Sequence, residues 1–85
     1  MSDRPQLTLY GREGCHLCEE ARVDLLRLRA EGLPFELAEV DIEADQNLHR
    51  DLLERIPVVE IEGERVCELL VDLDAVRARL ATFGA

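Results

Sequence analysis

Residues 7–18 read Leu7-Thr8-Leu9-Tyr10-Gly11-Arg12-Glu13-Gly14-Cys15-His16-Leu17-Cys18. With Gln6 in front, the first part alternates and carries a β-branched and an aromatic residue, which suits a short strand over Gln6–Tyr10. Gly11 and Gly14 bracket a loop. From Cys15 the period becomes helical. Leu17, Ala21, Leu25 and Leu28 recur at three- and four-residue spacing and predict one apolar stripe, with charged residues from Glu19 to Glu31 on the remaining surface. Gly32 and Pro34 supply the stop. A Cys-x-x-Cys motif therefore stands where a strand hands over to a helix.

Further along, Phe35–Ile42 is a second strand, marked by Phe35, Leu37 and Val40, and Asp41–Asp45 is an acidic break. Gln46–Arg55 reads as a helix with Leu48, Leu52 and Leu53 inward. Pro57 ends it and pushes Ile56 toward an extended conformation. Pro57–Ile61 and Arg65–Leu69 are strands joined by the Glu62-Gly63-Glu64 turn signal. Asp72 or Asp74 can cap a last helix that buries Leu73, Val76 and Leu80. The order β-α-β-α-β-β-α predicts an α/β fold. The first two strands, joined through a helix, should be parallel with a right-handed crossover, and the last two an antiparallel hairpin. The expected architecture is a mixed four-stranded sheet flanked by three helices on both faces.

A chain of 85 residues without linker or repeat reads as one domain, 1–85. Its only aromatic residues are Tyr10, Phe35 and Phe83, so the core falls to Leu, Val, Ile and Ala. The net charge of −9 argues against a nucleic-acid partner. No apolar run approaches the roughly 20 residues that span a bilayer, and Met1–Pro5 lacks the apolar region of a signal peptide. The expectation is a cytoplasmic protein with no membrane partner. Thiols stay reduced there, so a Cys-x-x-Cys pair is catalytic or metal-binding rather than a staple. An odd cysteine count of three also fits poorly with a disulfide framework.

Two cysteines so spaced at a helix start can close a small disulfide ring with little backbone movement. Cys15 would meet the unpaired N–H groups and the positive end of the macrodipole, which favour a thiolate. Cys18, a turn deeper, would be less exposed. Cys15 is therefore the expected nucleophile and Cys18 the resolving thiol. Arg12 should stabilise the Cys15 thiolate, while Glu13, Glu19 and Glu20 oppose it. His16 reads as a polar residue at the helix start. Pro57 opens a strand after the second helix, where a cis bond would set backbone beside the dithiol. Cys67 is either a small apolar strand residue or an accessory thiol able to relay a disulfide. One Cys-x-x-Cys supplies half the ligand set of a structural zinc site, so no metal is expected. Glu19 after Cys18 excludes c-type haem attachment.

From about Leu7 to Leu80 the chain resembles the glutaredoxin-like branch of the thioredoxin superfamily. The run Leu7–Cys18 and Ile56-Pro57-Val58 carry the resemblance. It implies a thioredoxin-like fold and a redox-active centre for electron transport, with Cys15 and Cys18 as the redox pair. Pro57 matches the family's cis proline, and Ile56 the residue that helps position substrate. Arg12 matches the basic residue that helps hold glutathione. The implied activity is reversible dithiol–disulfide exchange on a disulfide-containing protein or a small thiol. Glutathione is the usual reductant, a reductase the other candidate, and the expected state is a monomer with no bound cofactor. The chain departs from the pattern in three places. His16-Leu17 stands between the cysteines, Arg55-Ile56 replaces Thr-Val before the proline, and Val66-Cys67-Glu68-Leu69-Leu70 lacks the Gly-Gly pair that receives glutathione. The competing reading is a redox-sensing, protein-binding or iron–sulfur-cluster-carrying module on the same fold.

Overall fold

β1 (Gln6–Gly11) is an interior strand of a four-stranded sheet ordered β2-β1-β3-β4. The computed structural model describes residues 4–83; Met1–Asp3, on which part of the leader reading rests, and Gly84–Ala85 lie outside them. β2 (Glu36–Asp41) runs parallel to β1, with Leu7 opposite Leu37. β3 (Val58–Ile61) is antiparallel to β1 on its other side, with Leu9 opposite Val59. β4 (Glu64–Glu68) closes the hairpin with β3. Glu62 and Gly63 both adopt positive φ, 50° and 84°, as a tight hairpin turn matched to strand twist requires.

α1 (His16–Ala30), α2 (Gln46–Leu52) and α3 (Leu73–Ala81) complete the chain, so the element order is the one expected from the sequence. A 3₁₀ turn over Ile42–Ala44 occupies part of the acidic break. Asp45 caps α2, its Oδ1 accepting from the Asn47 and Leu48 N–H groups. Asp72, not Asp74, caps α3, its Oδ1 accepting from Ala75 N–H at 3.1 Å.

Strand alternation divides the interior into two clusters. Leu7, Leu9, Val59 and Ile61 face Ala21, Leu25 and Leu28 of α1 and Val76 and Leu80 of α3, with Phe35 alongside. Val58, facing the other way, joins Ile42, Leu52, Ile56 and Cys18, with Tyr10, Cys15 and Leu48 packed against them. The helices thus divide between the two faces, as the pattern predicted.

Three side chains differ from the sequence reading. Leu17 is not on the buried stripe of α1; Cys18 takes that place, giving Cys18, Ala21, Leu25 and Leu28. One residue is a rotation of about 100°, and this rotation turns position 18, not 17, toward Gly11 at the end of β1. Leu53 is exposed because α2 ends at Leu52, short of Arg55. Leu73, in the first turn of α3, is only partly covered.

Leu25 is fully buried at the α1–sheet contact. Leu25→Ala should lower unfolding free energy by about 2–5 kcal/mol in a urea titration, because the pocket it leaves has few ways to collapse. A loss under about 1 kcal/mol would contradict this packing.

Candidate active site

Gly14, at φ 81°, turns the chain from β1 into α1. Cys15 follows in an extended conformation as the N-cap of α1. Its carbonyl accepts the first helical bond from Glu19 N–H at 3.1 Å, and its Sγ accepts from Cys18 N–H at 3.1 Å. A sulfur thus fills the place where a serine or aspartate oxygen would ordinarily cap the helix. The two cysteines are joined as a disulfide with Cα atoms 5.2 Å apart. Cys15 remains partly accessible, whereas Cys18 is 6% exposed. The pair therefore has one outward and one inward sulfur.

The inward sulfur rests on Gly11. A Cβ built at Gly11 would stand 3.1 Å from both Cβ and Sγ of Cys18. Sequence reasoning treated Gly11 as a loop marker; its role in seating Cys18 depends on a contact between strand and helix that spacing alone does not reveal.

The Ile56–Pro57 peptide bond is cis, and Pro57 is fully buried. Ile56 packs in the cluster that holds Cys18 and against which Cys15 packs. The carbonyls of Arg55 and Pro57 both accept from Leu69 N–H at 2.9 Å, which ties the segment after β4 to the Ile56-Pro57 corner. Cys15, Cys18, Ile56 and Pro57 are thus brought together at one end of the sheet.

Arg12 lies beside this group, but its Nη1 pairs with Glu43 Oε1 at 3.4 Å. Arg12 also lines a groove of about 380 Å³ with Gly11, Cys18, Arg22 and Glu39. His16 is strongly exposed, its Nε2 3.2 Å from Glu20. Tyr10 donates to Glu60 Oε1 at 3.2 Å, and burial, followed by the Glu60 charge, pushes its phenol up. Among the described residues no group of three or more His, Cys, Asp and Glu side chains converges on a metal position. Among the described residues no helix is long and apolar enough to cross a membrane.

Cys67 lies elsewhere. It pairs with Val59 in the hairpin and packs against the α1–α3 cluster, not the one that holds Cys18. Burial pushes its thiol up, with the Asp72 backbone N–H partly offsetting it.

Comparison with known proteins adds a family to this geometry. The profile described as Glutaredoxin-like domain (DUF836) matches residues 6–81. Uncharacterized protein Rv0508 of Mycobacterium tuberculosis is 32% identical over 89 residues, covering 96% of this chain and 91% of that protein. The solution structure of protein Ne2328 from Nitrosomonas europaea superposes with a TM-score of 0.75 at 36% identity, over 89% of this chain and 91% of that one. A thioredoxin variant from Halobacterium salinarum superposes with a TM-score of 0.67 at 22% identity, over 99% of this chain and 79% of its own; it speaks to the fold.

Two outcomes follow from the site. Gly11→Ala should cost the oxidised protein about 1–3 kcal/mol in urea unfolding, by forcing Cys18 out of its seat; unchanged stability would show that Cys18 moves freely. A raised thiol holds less thiolate at a given pH, so Cys67 in the reduced protein should alkylate more slowly at pH 8 than cysteine in an unstructured peptide. Equal or faster labelling, read by peptide mass spectrometry, would contradict the burial argument.

Proposed function

The chain belongs to the glutaredoxin-like domain family, and we propose that it is a thiol–disulfide oxidoreductase in which Cys15 attacks and Cys18 resolves. One observation carries the reading: the Cys15 sulfur caps α1 and accepts the Cys18 N–H, while the Cys18 sulfur is buried behind it. The cap places the developing negative charge of a thiolate against unpaired N–H groups and the helix dipole. Burial keeps the second sulfur from competing for substrate, yet leaves it within one helical turn of the first.

The exchange is balanced in two displacements. The Cys15 thiolate attacks one sulfur of a substrate disulfide, the substrate S–S bond breaks, and the departing sulfur takes a proton from water. Cys18, losing its proton, then attacks Cys15 Sγ and releases the second substrate thiol. The substrate gains two electrons, and the Cys15–Cys18 disulfide forms. Two external thiols, or one dithiol, then restore the pair: the first sulfur attacks Cys15 Sγ and frees Cys18, the second attacks the resulting mixed disulfide and frees Cys15, and the donor leaves as a disulfide, two electrons poorer. Ile56, in the cluster that holds Cys18, and the cis-bonded Pro57 that follows it are the residues to position the substrate chain against the dithiol. Arg12, paired with Glu43 in the resting arrangement, would have to change partner to hold an anionic thiol. The absence from residues 66–70 of the Gly-Gly pair that receives glutathione favours a dithiol or a reductase over glutathione as donor.

Turnover of a common disulfide substrate, supplied in parallel with glutathione and with thioredoxin reductase, tests this. Wild type should turn over, faster with the reductase, and Cys15→Ser should fall to the uncatalysed rate. Cys18→Ser should stop after one half-reaction with a mixed disulfide on Cys15, detectable by intact mass. Wild-type turnover that survives Cys15→Ser, or no turnover with either donor, would contradict the proposal. The second result would favour a sensor or cluster-carrying module.

A further inference from the structure

Leucine side chains are exposed beside the dithiol in a chain whose surface is otherwise heavily charged. Leu17, between the two cysteines, is 41% exposed, and Leu69 and Leu70, just past β4, are 48% and 68% exposed. Leu17, Leu69, Leu70 and Val71 line a common groove of about 220 Å³ whose charged residues are Glu20 and Asp24 of α1. Leu69 sits at φ 71°, a left-handed conformation that leucine disfavours and glycine adopts freely. Its N–H is held by the Arg55 and Pro57 carbonyls, which fixes this rim to the Ile56-Pro57 corner. The groove is smaller than the roughly 300 Å³ at the low end of small-molecule sites, so it suits one or two side chains of a longer substrate.

Its charge selects the partner. The charged contacts of α1 and its C-cap run from His16 to Glu20, from Arg22 to Glu39 and from Glu31 to Arg77, and among the described residues none reaches Asp24. Two carboxylates, Asp24 and the His16-contacting Glu20, beside exposed leucines match an aliphatic side chain followed by a cation, and they disfavour an anionic thiol.

We propose that this groove is the specificity subsite for the polypeptide flanking a substrate cystine, seating an aliphatic side chain between Leu17 and Leu70 and an Arg or Lys against Glu20 and Asp24. The assignment rests on the oxidoreductase reading and adds a substrate class to it: disulfide-bonded polypeptides with aliphatic and basic residues next to the cysteine. The chemistry is the exchange already balanced above, with the peptide disulfide as the oxidant.

The test uses reduced full-length protein in single turnover against three disulfides: a peptide cystine flanked by Leu and Arg, the same peptide with Ser and Glu, and hydroxyethyl disulfide. The Leu-Arg peptide should react about tenfold faster than the Ser-Glu peptide, a preference worth about 1.4 kcal/mol. The preference should shrink as salt rises from 0.05 to 0.5 M, about a threefold shortening of the screening length. Leu70→Ser and Asp24→Asn should each lower the ratio of Leu-Arg peptide rate to hydroxyethyl disulfide rate, and a serine-for-cysteine Leu-Arg peptide should bind wild type more tightly than Leu70→Ser. Equal rates for the two peptides, with hydroxyethyl disulfide reduced normally, overturn the groove and leave the oxidoreductase reading intact. Selective peptide binding without reduction of any disulfide overturns the oxidoreductase reading and supports the groove. Concentration-dependent dimers that vanish in Leu70→Ser assign the groove to a second copy and overturn the proposal.

Discussion

The capping of α1 by a sulfur organises the molecule around its functional end. The four N-terminal N–H groups of a helix need acceptors, and here one of them is met by Cys15 Sγ, the sulfur proposed to attack. Structural and chemical demands therefore coincide on Cys15. The same helix start fixes Cys18 one turn in, where β1 ends in a glycine small enough to lie beneath it. The sheet order then brings β3 alongside β1, so the Ile56-Pro57 corner at the start of β3 lies beside the handover from β1 to α1. A short parallel unit, a hairpin and three helices suffice to converge these pieces in a chain of 85 residues.

Much of this was legible in the residues. The alternation in Leu7–Tyr10, the helical period that follows and the Gly32–Pro34 stop define β1-α1 with little ambiguity, and Glu62-Gly63 is a turn signal with a backbone reason. The resemblance to glutaredoxins then named the redox pair and the cis proline. What spacing could not settle was rotation at element ends. Leu17 and Cys18 differ by one position, and each completes a plausible stripe with Ala21; the choice belongs to the narrow space over Gly11. Leu53 is misread for a related reason, since the helix unwinds before the next apolar position can turn inward. The exposure of Leu69 and Leu70 was not legible either, because the expected strand runs to Leu69, whereas β4 ends at Glu68 and Leu69 turns into a left-handed conformation held by the Ile56-Pro57 corner.

Charge shapes the surface more than the interior. No charged side chain is buried among the described residues. The arginines are distributed in exposed pairs with carboxylates, such as Arg22–Glu39 at 2.8 Å and Arg77–Glu31 at 2.8 Å, each worth at most about 1 kcal/mol in water. The arginines are already counted in the net charge of −9, so these pairs offset charge locally and leave carboxylates in excess. Around the dithiol the balance remains acidic, with Glu13, Glu19 and Glu20 nearby and Arg12 turned to Glu43. On the proposed reading, activation of Cys15 would therefore rest on the backbone N–H groups and the helix dipole rather than on a neighbouring cation.

That dependence is open to a direct measurement: the rate of Cys15 alkylation by iodoacetamide against pH in the reduced protein, read at the Cys15 peptide. The helix cap predicts a midpoint below the ordinary free-thiol value of about 8.5, persisting when Arg12 is replaced by alanine. A midpoint at or above that value would mean that the acidic neighbours outweigh the cap, and the account of Cys15 as an activated nucleophile would fail.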